Sequence, residues 1–315
     1  MTFGEIRSHL EPYLDLRRSL GFKIHGQDSL LRGFVAFIEA RVLGGSGMAQ
    51  GALEWACSSG RTPGPAGQAH RLSLARLFLS HLHAIDPQIQ IPERGMLPRL
   101  VRPKPHIYSD MEIEALMSGA RSLGPKGSLR PHTYVTLIGL LLSCGLRAHE
   151  ALRLRVRDVE LKADLPLLHV LQTKFRKSRL VPLHTTTTEA LRAYADRRKS
   201  LGYEHCDSFF VSRRGGSVSY EAASKTFIRL VRRLGIRGPV GRGAHLHDLR
   251  HTVAVRRVIA WYREGVDVRA RLPELSVYLG HVRPEDTYWY LTATPELLGA
   301  AAERFENYAT HGGEQ

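Results

Sequence analysis

Residues 245–251 read HLHDLRH, and this stretch decides how the rest of the chain is interpreted. His247 and Arg250 are three residues apart and would therefore share one face of a helix. An arginine keeps its charge at any physiological pH, and its planar fork can bind two oxygens of one phosphate. A histidine beside it can accept or donate a proton. The pair is a candidate for phosphodiester chemistry.

Segments on either side of this stretch contain further groups that such chemistry needs. Cleavage without a metal requires cations to hold the phosphate, a proton donor for the leaving oxygen, and a nucleophile that stores the phosphoryl group. Residues of these types occur in four segments, in this order: Arg147 in CGLRAHEALRL, Lys174 and Lys177 in TKFRKS, His281 in LGHVRPED, and Tyr290 in TYWYL.

The ordered set Arg, Lys, His-x-x-Arg, His, Tyr resembles the catalytic signature of the tyrosine recombinase (phage integrase) family. The local frames also match: G-L-R-x-x-E at 145–150, H-x-L-R-H at 247–251, and L-G-H at 279–281 with a tyrosine nine residues after its histidine. The resemblance covers residues 108–295. The ending YWYLTATPELL resembles transposase-like members carried on mobile elements.

The resemblance implies how a phosphate would be held. Arg147 and Arg250 would bind the non-bridging oxygens of the scissile phosphate, and His281 would donate a hydrogen bond to it. Glu150, one turn from Arg147, would position that arginine rather than react. Taken alone, Arg147 and Glu150 could equally be a surface ion pair.

The resemblance also implies the chemical steps. Tyr290 would attack, leaving a 3′-phosphotyrosine and a free 5′ hydroxyl. His247 would assist proton transfer from the tyrosine, and Lys174 would protonate the departing oxygen. Because the reverse attack conserves the bond energy, no cofactor and no metal are implied.

Several alternatives remain at this stage. Phe175 follows Lys174 where family members often have glycine, which leaves Lys177 as a rival general acid. Tyr288 competes with Tyr290 as the nucleophile. His245, His247 and His251 could suggest a metal site, but the sequence supplies no matching cysteine or acidic ligands, and Arg250 would repel a cation.

The charge of the chain points to a polyanionic partner. It contains 45 Lys+Arg against 30 Asp+Glu, a net charge of +15 and a pI near 10.1. Between Arg147 and Arg179 there are nine basic residues against four acidic ones, and between Lys225 and Arg257 nine against one. An arginine-rich proteome would spread charge evenly, so this clustering favours double-stranded DNA as the partner.

The cellular setting is predicted to be the cytoplasm. Cys57, Cys144 and Cys206 lie far apart and form no CxxC pair, which suits a reducing compartment. The longest nearly apolar run, residues 134–146, is too short to span a membrane.

The predicted fold is mainly α-helical with a small β-sheet. Residues 1–85 are expected to form a helical domain, resembling the family's core-binding domain in size, helicity and position. Residues 86–105, with five prolines and no apolar periodicity, are expected to be a linker. Residues 106–315 are expected to form a mixed α+β catalytic domain that ends in a C-terminal helix.

Local patterns predict individual elements. Phe3, Ile6, Leu10 and Leu14 share one helical face, and Ser109 before DMEIEALMSGA predicts a helix N-cap. Residues 167–172 and 179–183 read as two strands of a hairpin whose turn holds the lysines.

The resemblance also implies partners. A terminal helix over residues 295–308 would dock on a neighbouring protomer, building a homo-oligomer, a tetramer on paired DNA sites; other recombinases or DNA-bending proteins could take part. Two competing functions remain: a type IB topoisomerase, and a catalytically inactive DNA-binding relative.

Overall fold

A computed structural model describes residues 3–22, 24, 26–41, 47–58, 64–99, 104–171, 178–238, 243–281, 287–288, 298–299 and 302–303. The chain divides into two compact units, Met1–Arg102 and Pro103–Gln315, each with its own apolar core. Among the described helices, none combines the length and the apolar character needed to cross a membrane.

The first unit is helical. Its described helices are α1 (Phe3–Ser8), α2 (Leu10–Ser19), α3 (Gln27–Ala40), α4 (Met48–Cys57) and α5 (Pro65–His83). The apolar spacing predicted a single opening helix, whereas α1 and α2 are separated at His9. Pro12 has no N–H to donate to the carbonyl of Ser8, and this missing bond accounts for the interruption.

The segment after α5 differs from the predicted linker over its first part. Ile89 is 1% exposed and belongs to the core of the first unit. Arg76 donates from Nε to the carbonyl oxygen of Pro92 at 2.7 Å, and the Nδ1 of His83 lies 2.7 Å from the carbonyl oxygen of Ile89. These bonds attach the proline-rich chain to α5, because they satisfy backbone groups that lack a regular partner.

The helices of the second unit are α6 (Asp110–Arg121), α7 (Arg130–Cys144), α8 (Ala148–Leu152), α9 (Thr185–Ser200), α10 (Tyr220–Arg233), α11 (Asp248–Arg263) and α12 (Val268–Leu279). The predicted start of α6 is confirmed. Ser109 Oγ accepts from the backbone N of Glu112 at 3.2 Å, and Glu112 Oε2 accepts from the backbone N of Ser109 at 2.9 Å. This reciprocal pair is a capping box.

A small sheet lies between α8 and α9 in the chain. Its strands are β1 (Val159–Glu160), β2 (Leu167–Val170) and β3 (Arg179–Pro182), antiparallel in the order β1-β2-β3. Leu168 pairs with Val181, and both side chains are fully buried. The predicted hairpin strands and the mainly helical fold class are confirmed.

Helix α7 is the centre of the second unit. It packs against α6, α9 and α11, and Leu137, Ile138 and Leu141 on it are at most 1% exposed. It ends at Gly145, whose φ of 58° is left-handed and therefore favours glycine. A Cβ on Gly145 would lie 2.9 Å from Leu279 Cδ2, so only glycine allows the chain to turn this close to α12.

Candidate active site

The turn at Gly145 places Arg147 immediately before α8. Its backbone N donates to Glu150 Oε2 at 3.0 Å, which caps the helix, and its Nη1 donates to Glu150 Oε1 at 2.8 Å. Its Nη2 donates to the carbonyl oxygen of Gly280 at 2.8 Å. The Arg147 side chain is 26% exposed, so it is partly open to solvent although both of its Nη atoms bond to the protein.

Glu150 is shared between two arginines. Besides Arg147, it accepts from Arg179 on β3, with Nη2–Oε2 at 2.8 Å and Nη1–Oε1 at 3.2 Å. Burial alone would raise the pKa of Glu150, but hydrogen bonds and charge from Arg179 and then Arg147 outweigh it and lower the pKa to about 2. Glu150 is therefore an anionic brace between two cations.

This arrangement predicts a pH-dependent contribution to stability. A carboxyl whose pKa is lower in the folded state than its ordinary 4.5 stabilises the fold fully above pH 4.5 and loses that effect as the pH falls toward 2. Glu150→Gln should therefore lower the free energy of unfolding at pH 7 by an amount on the order of 3 kcal/mol. Denaturant unfolding of both proteins from pH 7 to pH 3 should show this difference shrinking at the acid end.

The matched control is Glu221→Gln. Glu221 also has a lowered pKa, caused first by its hydrogen bond to Lys225, but both side chains are exposed. Exposed pairs contribute little, so this substitution should change stability only slightly at any pH. If the two substitutions lowered the free energy of unfolding equally, Glu150 would not be acting as an anionic link between Arg147 and Arg179.

Arg250 is the most deeply buried charged group of the site. It lies in the first turn of α11 and is 1% exposed. Its Nη1 donates to the carbonyl oxygen of Gly145 at 2.8 Å, and its Nη2 donates to that of Leu279 at 2.7 Å. Arg250 therefore joins the end of α7 to the end of α12.

The last carbonyl groups of α12 are where the arginines converge. Arg179 Nε donates to the carbonyl oxygen of Tyr278 at 3.0 Å. Arg250 Nη2 donates to the carbonyl oxygen of Leu279, and Arg147 Nη2 donates to that of Gly280. A helix end exposes carbonyl groups that lack intrahelical donors and carry partial negative charge. The arginines satisfy these groups, and the next residue in the chain is His281.

Two contacts orient His281, one through its backbone and one through its ring. Its backbone N donates to the carbonyl oxygen of Ser276 at 2.9 Å, and its Nδ1 lies 2.7 Å from Oγ1 of Thr287, which is 1% exposed. If the threonine hydroxyl donates to Nδ1, the imidazole carries its proton on Nε2. That tautomer is a hydrogen-bond donor, as phosphate binding requires.

His247 precedes α11 and lies one turn from Arg250. Its ring packs edge-to-face on that of His251, with the centroids 4.9 Å apart. Across the described part of the chain, His, Cys, Asp and Glu form no group of three or more that could hold a metal ion.

Comparison with known proteins adds an independent observation. Residues 108–296 match the sequence model of the phage integrase family. The chain belongs to this family. The predicted family is thus confirmed, and its members include tyrosine-type site-specific DNA recombinases; the chain is one of these enzymes.

Relatives agree with this assignment. The chain is 39% identical over 311 residues to the putative integrase/recombinase y4rB of Sinorhizobium fredii, covering 95% of this chain and 96% of that protein. It shares its fold with the Tn1549 transposon integrase in complex with a circular intermediate DNA, at a TM-score of 0.67 and 19% identity over 96% and 99% of the two chains. A lambda integrase tetramer bound to a Holliday junction matches with a TM-score of 0.61 and 17% identity over 88% and 77%.

The structure places five of the predicted phage integrase residues: Arg147, Glu150, His247, Arg250 and His281. Four of them meet around the end of α12, and His247 lies one turn from Arg250. Lys174, Lys177 and Tyr290 lie outside the described residues, so their positions stay predictions. The rival Tyr288 is described, and it is 50% exposed.

Two residues of the site were not singled out from the sequence. Arg179 was predicted only as the start of a strand and as one of many basic residues, and Thr287 not at all. Arg179 bonds to Tyr278, which is 99 residues away in the chain, and Thr287 contacts His281, which is six residues away. The available signal was weak: a basic residue at the strand end next to the predicted lysine turn.

Proposed function

We propose that this recombinase cuts and rejoins double-stranded DNA through a covalent 3′-phosphotyrosine at Tyr290, without a metal ion or ATP. The observation that carries the proposal is the convergence of Arg147, Arg250 and His281 at the end of α12. Two permanent cations and one imidazole in a partly dry site form a pre-arranged set of donors for a phosphate. Family membership alone would not require these groups to meet.

The Oη of Tyr290 attacks phosphorus and its proton passes to His247, while Arg147, Arg250 and His281 stabilise the charge on the non-bridging oxygens. The bond between phosphorus and the 5′ oxygen breaks, and Lys174 protonates that oxygen. Attack by a 5′ hydroxyl of the partner strand reverses these steps and releases the tyrosine.

Surface charge supports DNA as the substrate. Helix α10 buries Phe227 and Leu230 and exposes Lys225, Arg229 and Arg232 on its opposite face. A row of cations on one helix face is suited to a phosphate backbone. Binding through such a surface should weaken steeply as salt is added.

The proposed assembly is a homotetramer on two DNA duplexes. Exchange between two duplexes requires four strand cleavages, and one tyrosine per chain supplies one cleavage. Similarity to a lambda integrase tetramer bound to a Holliday junction supports this stoichiometry. The helix predicted over residues 295–308, most of which lie outside the described residues, is the proposed link between protomers.

The test uses nicked suicide substrates made from the DNA that flanks the gene, which lose the 5′-hydroxyl fragment after cleavage. Denaturing gels should show a protein–DNA adduct that forms in EDTA and without ATP. Joining of two duplexes of different length should follow on intact substrates. Adduct without joining would indicate topoisomerase-like activity, and specific binding without adduct would indicate an inactive DNA-binding protein; either result would contradict the proposal.

A further inference from the structure

Arg179 takes no part in the proposed steps, although its side chain makes three hydrogen bonds at the site. It is the first residue of β3, directly after the lysine-containing segment, and its side chain is 12% exposed. All three of its guanidinium nitrogens donate: Nη1 and Nη2 to the carboxylate of Glu150, and Nε to the carbonyl oxygen of Tyr278. Arg179 thus bonds simultaneously to the brace and to the end of α12.

The lack of a side chain at Gly280 leaves the space that the Arg179 guanidinium occupies. Gly280 has a left-handed φ of 70°, and a Cβ there would lie 2.7 Å from Nη1 and 2.9 Å from Cζ of Arg179. The guanidinium therefore lies directly against the peptide that carries the Gly280 carbonyl, and this carbonyl is also the acceptor for Arg147. A shift of Arg179 would be transmitted to Arg147 by two routes, through Glu150 and through Gly280.

We infer that Arg179 is a positioning residue for strand cleavage, which holds Glu150 and the end of α12 so that Arg147 and His281 keep the orientation needed to bind the scissile phosphate. It acts through these residues, because the hydrogen bonds described for it go to Glu150 and to the carbonyl oxygen of Tyr278. This inference rests on the proposed function. It also connects β3 mechanically to the phosphate-holding groups.

Arginine suits this role better than lysine does. Its planar fork reaches both oxygens of Glu150 while Nε reaches a third acceptor in the same plane. Lysine is a single charged centre and would keep the charge but not all three bonds. Arg179→Lys should therefore retain part of the activity, and Arg179→Gln should retain less.

The experiment measures the single-turnover rate of adduct formation for wild type, Arg179→Lys, Arg179→Gln and Arg147→Gln. Removal of groups that orient a functional residue commonly costs about 10- to 100-fold, and we expect this loss for Arg179→Gln with DNA affinity unchanged. The matched control is Arg130→Gln. Arg130 also donates to a carbonyl and a hydroxyl, those of Gly124 and Thr226, but no bond described for it reaches the site.

A second substrate separates positioning from a general structural role. Replacing a non-bridging oxygen of the scissile phosphate by a methyl group removes the charge that Arg147 stabilises. If Arg179 acts through Arg147, the defects of Arg179→Gln and Arg147→Gln should shrink together on this methylphosphonate. A variant that is merely less well folded would lose the same factor on both substrates, and thermal unfolding of each variant provides the comparison.

The outcomes separate the inference from the proposed function. If wild type forms no adduct, the proposed function fails and the inference fails with it. If wild type cleaves and Arg179→Gln cleaves at the wild-type rate, or loses an equal factor on both substrates, only the inference is overturned. If Arg179→Gln does not fold, Arg179→Lys decides: wild-type rates on both substrates would overturn the inference, and a defect that shrinks on the methylphosphonate would support it.

Discussion

Tyr290→Phe should abolish the covalent protein–DNA adduct while leaving DNA binding intact. Phenylalanine keeps the ring but lacks the oxygen that would attack phosphorus, so the covalent intermediate cannot form. Loss of a nucleophile commonly reduces the rate by a factor on the order of 10⁴ or more. Adduct should therefore be undetectable on suicide substrates, whereas band-shift titrations should give the wild-type affinity.

Tyr288→Phe is the matched comparison, because it removes the same atom two residues away. Tyr288 is half exposed and directly follows Thr287, the residue that contacts His281. We expect it to form adduct at close to the wild-type rate. If instead Tyr288→Phe loses the adduct and Tyr290→Phe retains it, the nucleophile has been assigned to the wrong tyrosine.

Lys174→Ala should give the second largest loss, on a substrate with an ordinary leaving oxygen. General acid catalysis typically contributes about 10²- to 10⁴-fold, since an alkoxide is a poor leaving group without a proton. Replacing the bridging 5′ oxygen by sulfur removes this requirement, because a thiolate leaves without protonation. The variant should therefore recover close to the wild-type rate on the 5′-phosphorothiolate substrate.

The same pair of substrates decides between the two lysines. Lys177→Ala removes an identical side chain three residues away, and it should lose little on either substrate. If the 5′-phosphorothiolate substrate restored the cleavage rate of Lys177→Ala but not that of Lys174→Ala, Lys177 would be the general acid. A loss in both variants that sulfur does not restore would mean that the lysines bind DNA instead.

The sequence predicts those features whose signals are local. Ser109 and Glu112 are three residues apart, so their reciprocal capping of α6 can be read directly from the chain. The two short apolar runs around Leu168 and Val181, separated by the basic segment TKFRKS, likewise predict the hairpin strands. By contrast, β1 has only two residues, too few for any periodicity, and it is recognisable as a strand only because it pairs with β2.

Some features of the candidate site can likewise be predicted from the sequence, and others cannot. Residue types and their order single out Arg147, His247, Arg250 and His281, because their chemistry is unusual in combination. Arg147 and Arg250 also bond to backbone carbonyls, and such acceptors have no residue-specific sequence signal. Nor could the packing of Ile89 be predicted, because it lies in a proline-rich segment without apolar periodicity.

The arginine contacts at the end of α12 have a consequence for incomplete copies of this protein. They close loops of 133 residues between Arg147 and Gly280 and of 99 residues between Arg179 and Tyr278. Loops this long are closed late and only when the whole unit is folded. A product truncated before α12 would lack the carbonyl acceptors of residues 278–280 together with His281 and Tyr290, so damaged copies of the gene should yield polypeptides that do not cleave DNA.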